Sequence, residues 1–154
     1  AEPVARHTPI ERLEQVVQRL GEFGKLTCID RAGNPLSLRN IEQAHDAAGD
    51  AAAFTAMRTH IAENTDARVV VGGKLQDYAG QEPGTIEEAR LSVAAGAELF
   101  VAGGYGGAAA LLATEILGEK PTWMPERFPA NSENAEVQRA LARFRSEWDK
   151  RPKP

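Results

Sequence analysis

Two short apolar runs, each ending in a pair of glycines and separated by one helix, constrain this chain more than any other feature. They are "RVVV" (68–71), followed by Gly72-Gly73, and "ELFVA" (98–102), followed by Gly103-Gly104. Between them, "TIEEARLSVAAG" reads as a helix with Thr85 at its cap, Glu88 three residues on and Gly96 closing it. Strand, helix, strand with continuous apolar runs is the pattern of a βαβ unit in a parallel sheet buried on both faces. Both strands of such a unit finish at one edge, so the glycine pairs fall side by side in the crevice where open α/β sheets bind ligands. The expected fold is therefore α/β: a Rossmann-like three-layer domain with a small, mostly parallel sheet and helices on both faces.

Around this centre the pattern is plainer. "HTPIERLEQVVQRLGEFG" predicts a helix with Thr8 as cap, Pro9 in first position, Glu11 completing a capping box, and the stripe Ile10, Leu13, Val17, Leu20. "KLTCI" (25–29) reads as a strand and "DRAGNP" as the turn after it. A weaker helix capped by Ser37 precedes one capped by Asp50, whose stripe is Phe54, Met57 and Ile61. "TWMPERFPANSE" reads as a loop, with a fourth strand conceivable around "PTWM". An amphipathic helix follows over about 134–150, with Val137, Leu141, Phe144 and Trp148 on one face. With no repeats and no linker, the expectation is a single domain over 1–154, its motif core at 57–118. Three strands make a thin sheet, which favours homo-oligomerisation.

Composition narrows the function classes. A net charge of −4 argues against a general nucleic-acid binder, which needs a basic face, yet leaves room for a small anionic ligand. No apolar run approaches the ~20 residues of a membrane span, and no signal-peptide core is visible, so a cytoplasmic protein without a membrane partner is expected. One cysteine, Cys28, excludes an intramolecular disulfide and a cysteine-rich metal site. His7, His45 and His60 have no metal-ligand spacing, so no metal is expected.

The candidate site is the strand-end region. "GGYGGAA" (Gly103, Gly104, Tyr105, Gly106, Gly107 and two alanines) can bring backbone close to a phosphate, with the N–H groups of a helix starting near Gly107 aimed into the turn. The turn carries no acid, base or nucleophile stronger than Tyr105. Lys74, directly after Gly72-Gly73, suits either a phosphate contact or a solvated loop. Tyr78 suits base stacking or sealing the loop. Glu88 suits the capping box or ribose hydroxyls, while Glu87 is expected in solvent. Arg58 suits a surface position with a buried stem, or a fork onto phosphate. Arg68 is expected at the opposite sheet edge, and Cys28 buried in its strand.

Residues 57–109 resemble the SLOG superfamily of Rossmann-like nucleotide-binding domains, most of all bacterial members found with TIR domains or NAD-cleaving effectors in anti-phage systems. The likeness lies in Met57-Arg58, Gly72-Gly73-Lys74, "GQEPGTIEEA" (80–89) and "GGYGGAA" (103–109). It implies a domain that binds ADP-ribose-like signals, cyclic isomers in particular, and whose assembly switches on an effector on the same or another chain. It implies Arg58, Lys74 and Glu88 as polar ligand contacts and the glycine turns as backbone cradle. The superfamily also contains phosphoribohydrolases with a "PGGxGTxxE" signature; laid on Ala102–Ala110, this puts Ala110 at the glutamate. The resemblance thus implies a turn that holds a nucleotide without cleaving it, and no catalytic residue or cofactor. An enzyme using Glu87 or Glu88 instead is the alternative. The further strands and earlier glycine-rich loop usual in the family are not visible.

Overall fold

The computed structural model describes residues 5–41 and 47–152. The chain divides into two compact units, residues 1–57 and 58–154, with the boundary inside one helix.

The first unit opens on a 3₁₀ turn, Ala5–His7, and helix α1, Ile10–Leu20. The expected capping box does not form: Pro9 occupies the cap position and no side chain caps the helix. Proline has no N–H to donate and presets the entry backbone, so the helix starts one residue later than a Thr8 cap requires. Leu13 is the buried member of the stripe, while Val17 stays exposed. The expected strand 25–29 shrinks to β1, Cys28–Ile29, which pairs antiparallel with β2, Pro35–Leu36. It is thus half of a hairpin, separate from the parallel sheet. The turn supplies the reason. The Asp30 carboxylate accepts from the Ala32 and Asn34 N–H groups, each at 2.8 Å, closing the chain on itself. Hydrogen bonds from the Asn34 side chain, then its backbone, hold the Asp30 carboxyl below its usual range. Cys28 is buried as expected, and burial pushes its thiol upward.

Where a second helix was expected, a 3₁₀ turn, Leu38–Asn40, follows Ser37 without a side-chain cap; residues 42–46 of that segment, His45 included, lie outside the described residues. Helix α2, Ala47–Glu63, begins ahead of Asp50, so Asp50 sits in its first turn, 3.1 Å from His7, and is not a cap.

The second unit realises the βαβ reading. Strand β3, Ala67–Val71, and strand β4, Glu98–Ala102, pair in parallel, with Val69 opposite Phe100 and Val71 opposite Ala102. Helix α3, Gly84–Ala94, connects them, and helix α4, Gly107–Leu117, follows β4 through a 3₁₀ turn, Gly103–Tyr105. Helix α5, Ala135–Trp148, starts where the sequence indicates: Asn134 caps it by accepting from the Glu136 N–H at 2.8 Å. The "PTWM" segment is a turn, its Met124 N–H reaching the Pro121 carbonyl at 3.0 Å. The layout is mixed α/β and compatible with a Rossmann-like arrangement.

The core of this unit lies where Val70, Leu99 and Val101 meet α3, α4 and α5: Ile86, Ala89, Val93, Ala108, Leu111, Leu112, Val137, Leu141 and Phe144. Alternation along a strand sends Val69, Val71 and Phe100 to the other face, where they are 66%, 53% and 57% exposed. The two runs were expected to be buried on both sides, and this face is not. Both helices that pack directly on this strand pair, α3 and α4, meet its Val70 face.

Candidate functional site

The parallel register brings the two glycine turns together, as their positions implied. The contact is closer than side by side. The Ala108 N–H donates to the Gly73 carbonyl at 3.1 Å, and the Ala109 N–H to the Gly72 carbonyl at 2.7 Å. Ala110 N–H turns back to Gly106 at 3.3 Å. Two of the α4 donors expected to face a phosphate are therefore bonded to the neighbouring turn. A carbonyl of the adjacent turn satisfies an otherwise orphaned N–H as well as an anion would. Gly107 is required here: its φ is +61°, and a Cβ would run into the Gly73 carbonyl oxygen and lie 2.9 Å from the Gly72 carbonyl carbon. Gly73, at φ +99°, is equally confined, with a Cβ falling 2.7 Å from that of Thr85.

Beside these turns, at the start of α3, the chain assembles a charged cluster. The helix begins at Gly84 with Pro83 in the cap position and no side-chain cap. Thr85 is therefore inside the first turn, and the expected capping box with Glu88 is absent. Glu88 instead lies 3.5 Å from Arg58 and 3.6 Å from Arg68, a third exposed. Glu87, expected in solvent, is 2% exposed and accepts a short hydrogen bond from Arg58 Nη1. Arg58 is itself buried, its guanidinium packed where Gly80 and Gly84 have no side chain; a Cβ on Gly84 would come within 3.1 Å of Arg58 Cζ. It is not a surface arginine: two carboxylates surround its guanidinium. Its work is to neutralise two carboxylates and pin the Pro-Gly-Thr turn. Arg68 is not remote from the cluster: it sits on the inward face of β3, and its Nε donates to Ser92 Oγ at 3.3 Å.

Tyr78 reaches α5. Its hydroxyl donates to Glu136 Oε2 at 2.5 Å, on the first turn of α5, which fits the loop-sealing option. That bond, then burial, pushes the phenol up to about 12. Glu82, in the same loop, is buried and takes Arg90 at 2.8 Å and Arg143 at 3.7 Å. The loop between β3 and α3 is thus fastened at both ends. What it leaves open is Gly73 and Lys74 on one side of the paired turns, and Gly104 and Tyr105 on the other, all exposed.

Sequence reasoning missed Glu87 and Glu82, whose burial depends on arginines distant in the chain. The spacing of Gly80 and Gly84 just before a helix was the available hint that a bulky side chain enters there. A cavity of about 400 Å³ floored by Leu141 and Ala142 lies between α4 and α5, and no glycine-turn residue lines it. Among the described residues no group of three or more His, Cys, Asp or Glu could hold a metal ion, and no helix is long and apolar enough to cross a membrane.

No curated protein and no solved structure matches the chain significantly. One family model, SLOG cluster2, matches residues 1–152, nearly its entire length. With the locked glycine turns at a parallel strand edge, the match settles the membership: the chain is a nucleotide-related domain belonging to the SLOG cluster2 family.

Proposed function

We propose that this protein is a non-catalytic sensor of an ADP-ribose-like nucleotide, a cyclic isomer in particular, captured at the C-terminal edge of β3 and β4. The observation that carries this reading is the pair of interlocked glycine turns with Lys74 exposed on one side and Tyr105 on the other. In this reading Lys74 meets phosphate as a point charge, Glu88, held by two arginines, accepts from ribose hydroxyls, and the glycine backbone lets the ligand approach closely. Arg58 acts indirectly, by orienting Glu88. Output is differential affinity for an assembled state: homo-oligomerisation, or activation of a TIR or NAD-cleaving effector in anti-phage defence. The exposed Val69, Val71 and Phe100 support an assembly step, since a parallel sheet is ordinarily covered on both faces.

Isothermal titration with ADP-ribose and its cyclic isomers, followed by chromatography of the recovered ligand, tests the proposal. One compound should bind and return intact. Lys74→Ala should weaken it at least about tenfold, in line with loss of a charge-assisted contact, without lowering stability. No binding by any of these compounds would overturn the reading.

A second reading, a nucleotide N-glycosidase, is favoured by one observation: Arg58 gathers Glu87 and Glu88 at the head of α3, an arginine with two carboxylates. Recovery of free base in the same chromatogram, abolished by Glu88→Gln, would establish it and overturn the sensor.

A further inference from the structure

Trp123 lies on the glycine turn that follows β4, and no motif in the chain assigned it a role. Its ring edge is 3.4 Å from where a Cβ of Gly103 would be, and 3.8 Å from that of Gly104. The indole thus rests against the backbone of this turn at ordinary contact distance. Yet the ring is not core: Trp123 is 59% exposed, and Tyr105, in the same turn, is 77% exposed. One large aromatic in the turn and another resting on it are both left in solvent, and exposed aromatics gathered at one place mark a binding surface.

The segment that carries Trp123 is built to hold it. Pro121 and Met124 are buried, and the Met124 N–H bonds the Pro121 carbonyl at 3.0 Å, which puts Thr122 and Trp123 at the tip of a tight turn. Lys120 Nζ donates to the Phe128 carbonyl at 2.5 Å and the Glu126 carbonyl at 3.1 Å, drawing the segment into a closed loop. Phe128 then packs beneath Gly106, where a Cβ would fall 2.6 Å from its ring. An exposed ring on a braced turn is preorganised, so little ordering entropy is lost when something stacks on it.

We infer that Trp123 and Tyr105 form the stacking platform for the base of the bound nucleotide. This rests on the sensor reading and deepens it: phosphate toward Lys74, base toward the aromatics across the paired turns. Stacking accepts any base through its π face, so the platform supplies affinity for a nucleobase without choosing among bases.

The test pairs tryptophan fluorescence with titration, using ADP-ribose, its cyclic isomers and base-free ribose 5-phosphate. A nucleotide should quench wild-type fluorescence. The quench should vanish in Trp123→Phe, whose remaining tryptophan, Trp148, is stacked on Phe144 at 5.9 Å. Trp123→Ala should weaken nucleotide binding by about 10- to 100-fold and leave ribose 5-phosphate binding unchanged, and Trp123→Phe should recover most of the loss. Equal nucleotide affinity in wild type and Trp123→Ala would overturn the platform while leaving the sensor standing. Equal weakening of nucleotide and ribose 5-phosphate would also overturn it, as a purely structural effect. Failure of the wild type to bind any nucleotide would overturn the sensor reading, and the platform with it.

Discussion

A carboxylate in the first turn of a helix ordinarily faces water and gains from the helix dipole. Glu87 is 2% exposed because Arg58 arrives from α2 into the space left by Gly80 and Gly84. Removing one partner of such a pair strands a buried charge, at a typical cost of about 3–5 kcal/mol. The pair therefore dictates how α3 starts, and a Pro-Gly-Thr entry replaces a side-chain cap. Tyr78 illustrates a different coupling: its hydroxyl is held as a donor by Glu136, which raises its pKa to about 12. The raised value means that the neutral phenol is the stabilised form. Its contribution is complete below the ordinary value of about 10 and is lost as pH rises through about 12. The chain has two tyrosines, so Tyr105→Phe leaves Tyr78 as the sole reporter. Phenolate absorbance in that variant should titrate well above pH 10 and move down when Glu136→Gln is added. A midpoint near 10 with Glu136 intact would show that the latch does not exist in solution.

At the level of elements, cap chemistry of one kind succeeds at α5 and fails at α1 and α3. Asn134 caps α5 as its residue type suggests, whereas Thr8 and Thr85 do not cap α1 and α3. For Thr8 and Thr85 the difference lies in neighbours: a proline precedes the first helical residue of α1 and of α3. Helix α4 carries the most demanding junction, because its first N–H groups close onto Gly72 and Gly73. Gly107→Ala should therefore destabilise more than Gly118→Ala, although both positions have positive φ, +61° and +78°. At Gly118 no atom lies within 4 Å of the added Cβ, leaving only the left-handed backbone penalty of about 1–2 kcal/mol. At Gly107 the clash with Gly73 adds to it, for a total of about 3 kcal/mol or more. Urea unfolding of the two variants checks the order; equal midpoints would mean that the paired turns are not locked.

For the molecule as a whole, the outward face of β3 and β4 is the feature that most needs a partner. If assembly covers it, Phe100→Asp should leave the stability of the protein within about 0.5 kcal/mol, as for other exposed positions. It should also abolish any ligand-induced rise in sedimentation coefficient. Assembly that persists in the variant would move the interface elsewhere. The βαβ centre was readable in the chain, because a continuous apolar run, a glycine pair and a capable helix are local signals. Both strand assignments in that unit and the onset of α5 follow from them. The short hairpin at Cys28–Ile29 was not readable as such: nothing in "KLTCI" says whether its partner is the neighbouring turn or a distant sheet. The site divides in the same way. Glycines at the strand ends, and Lys74 beyond them, belong to the sequence by itself, since only small residues allow that turn. The burial of Glu87, the redirection of Tyr78 to α5 and the seating of Trp123 on Gly103 were decided by tertiary structure alone. Each depends on two segments 20 or more residues apart meeting, and the free energy of that meeting resides in no local stretch of chain.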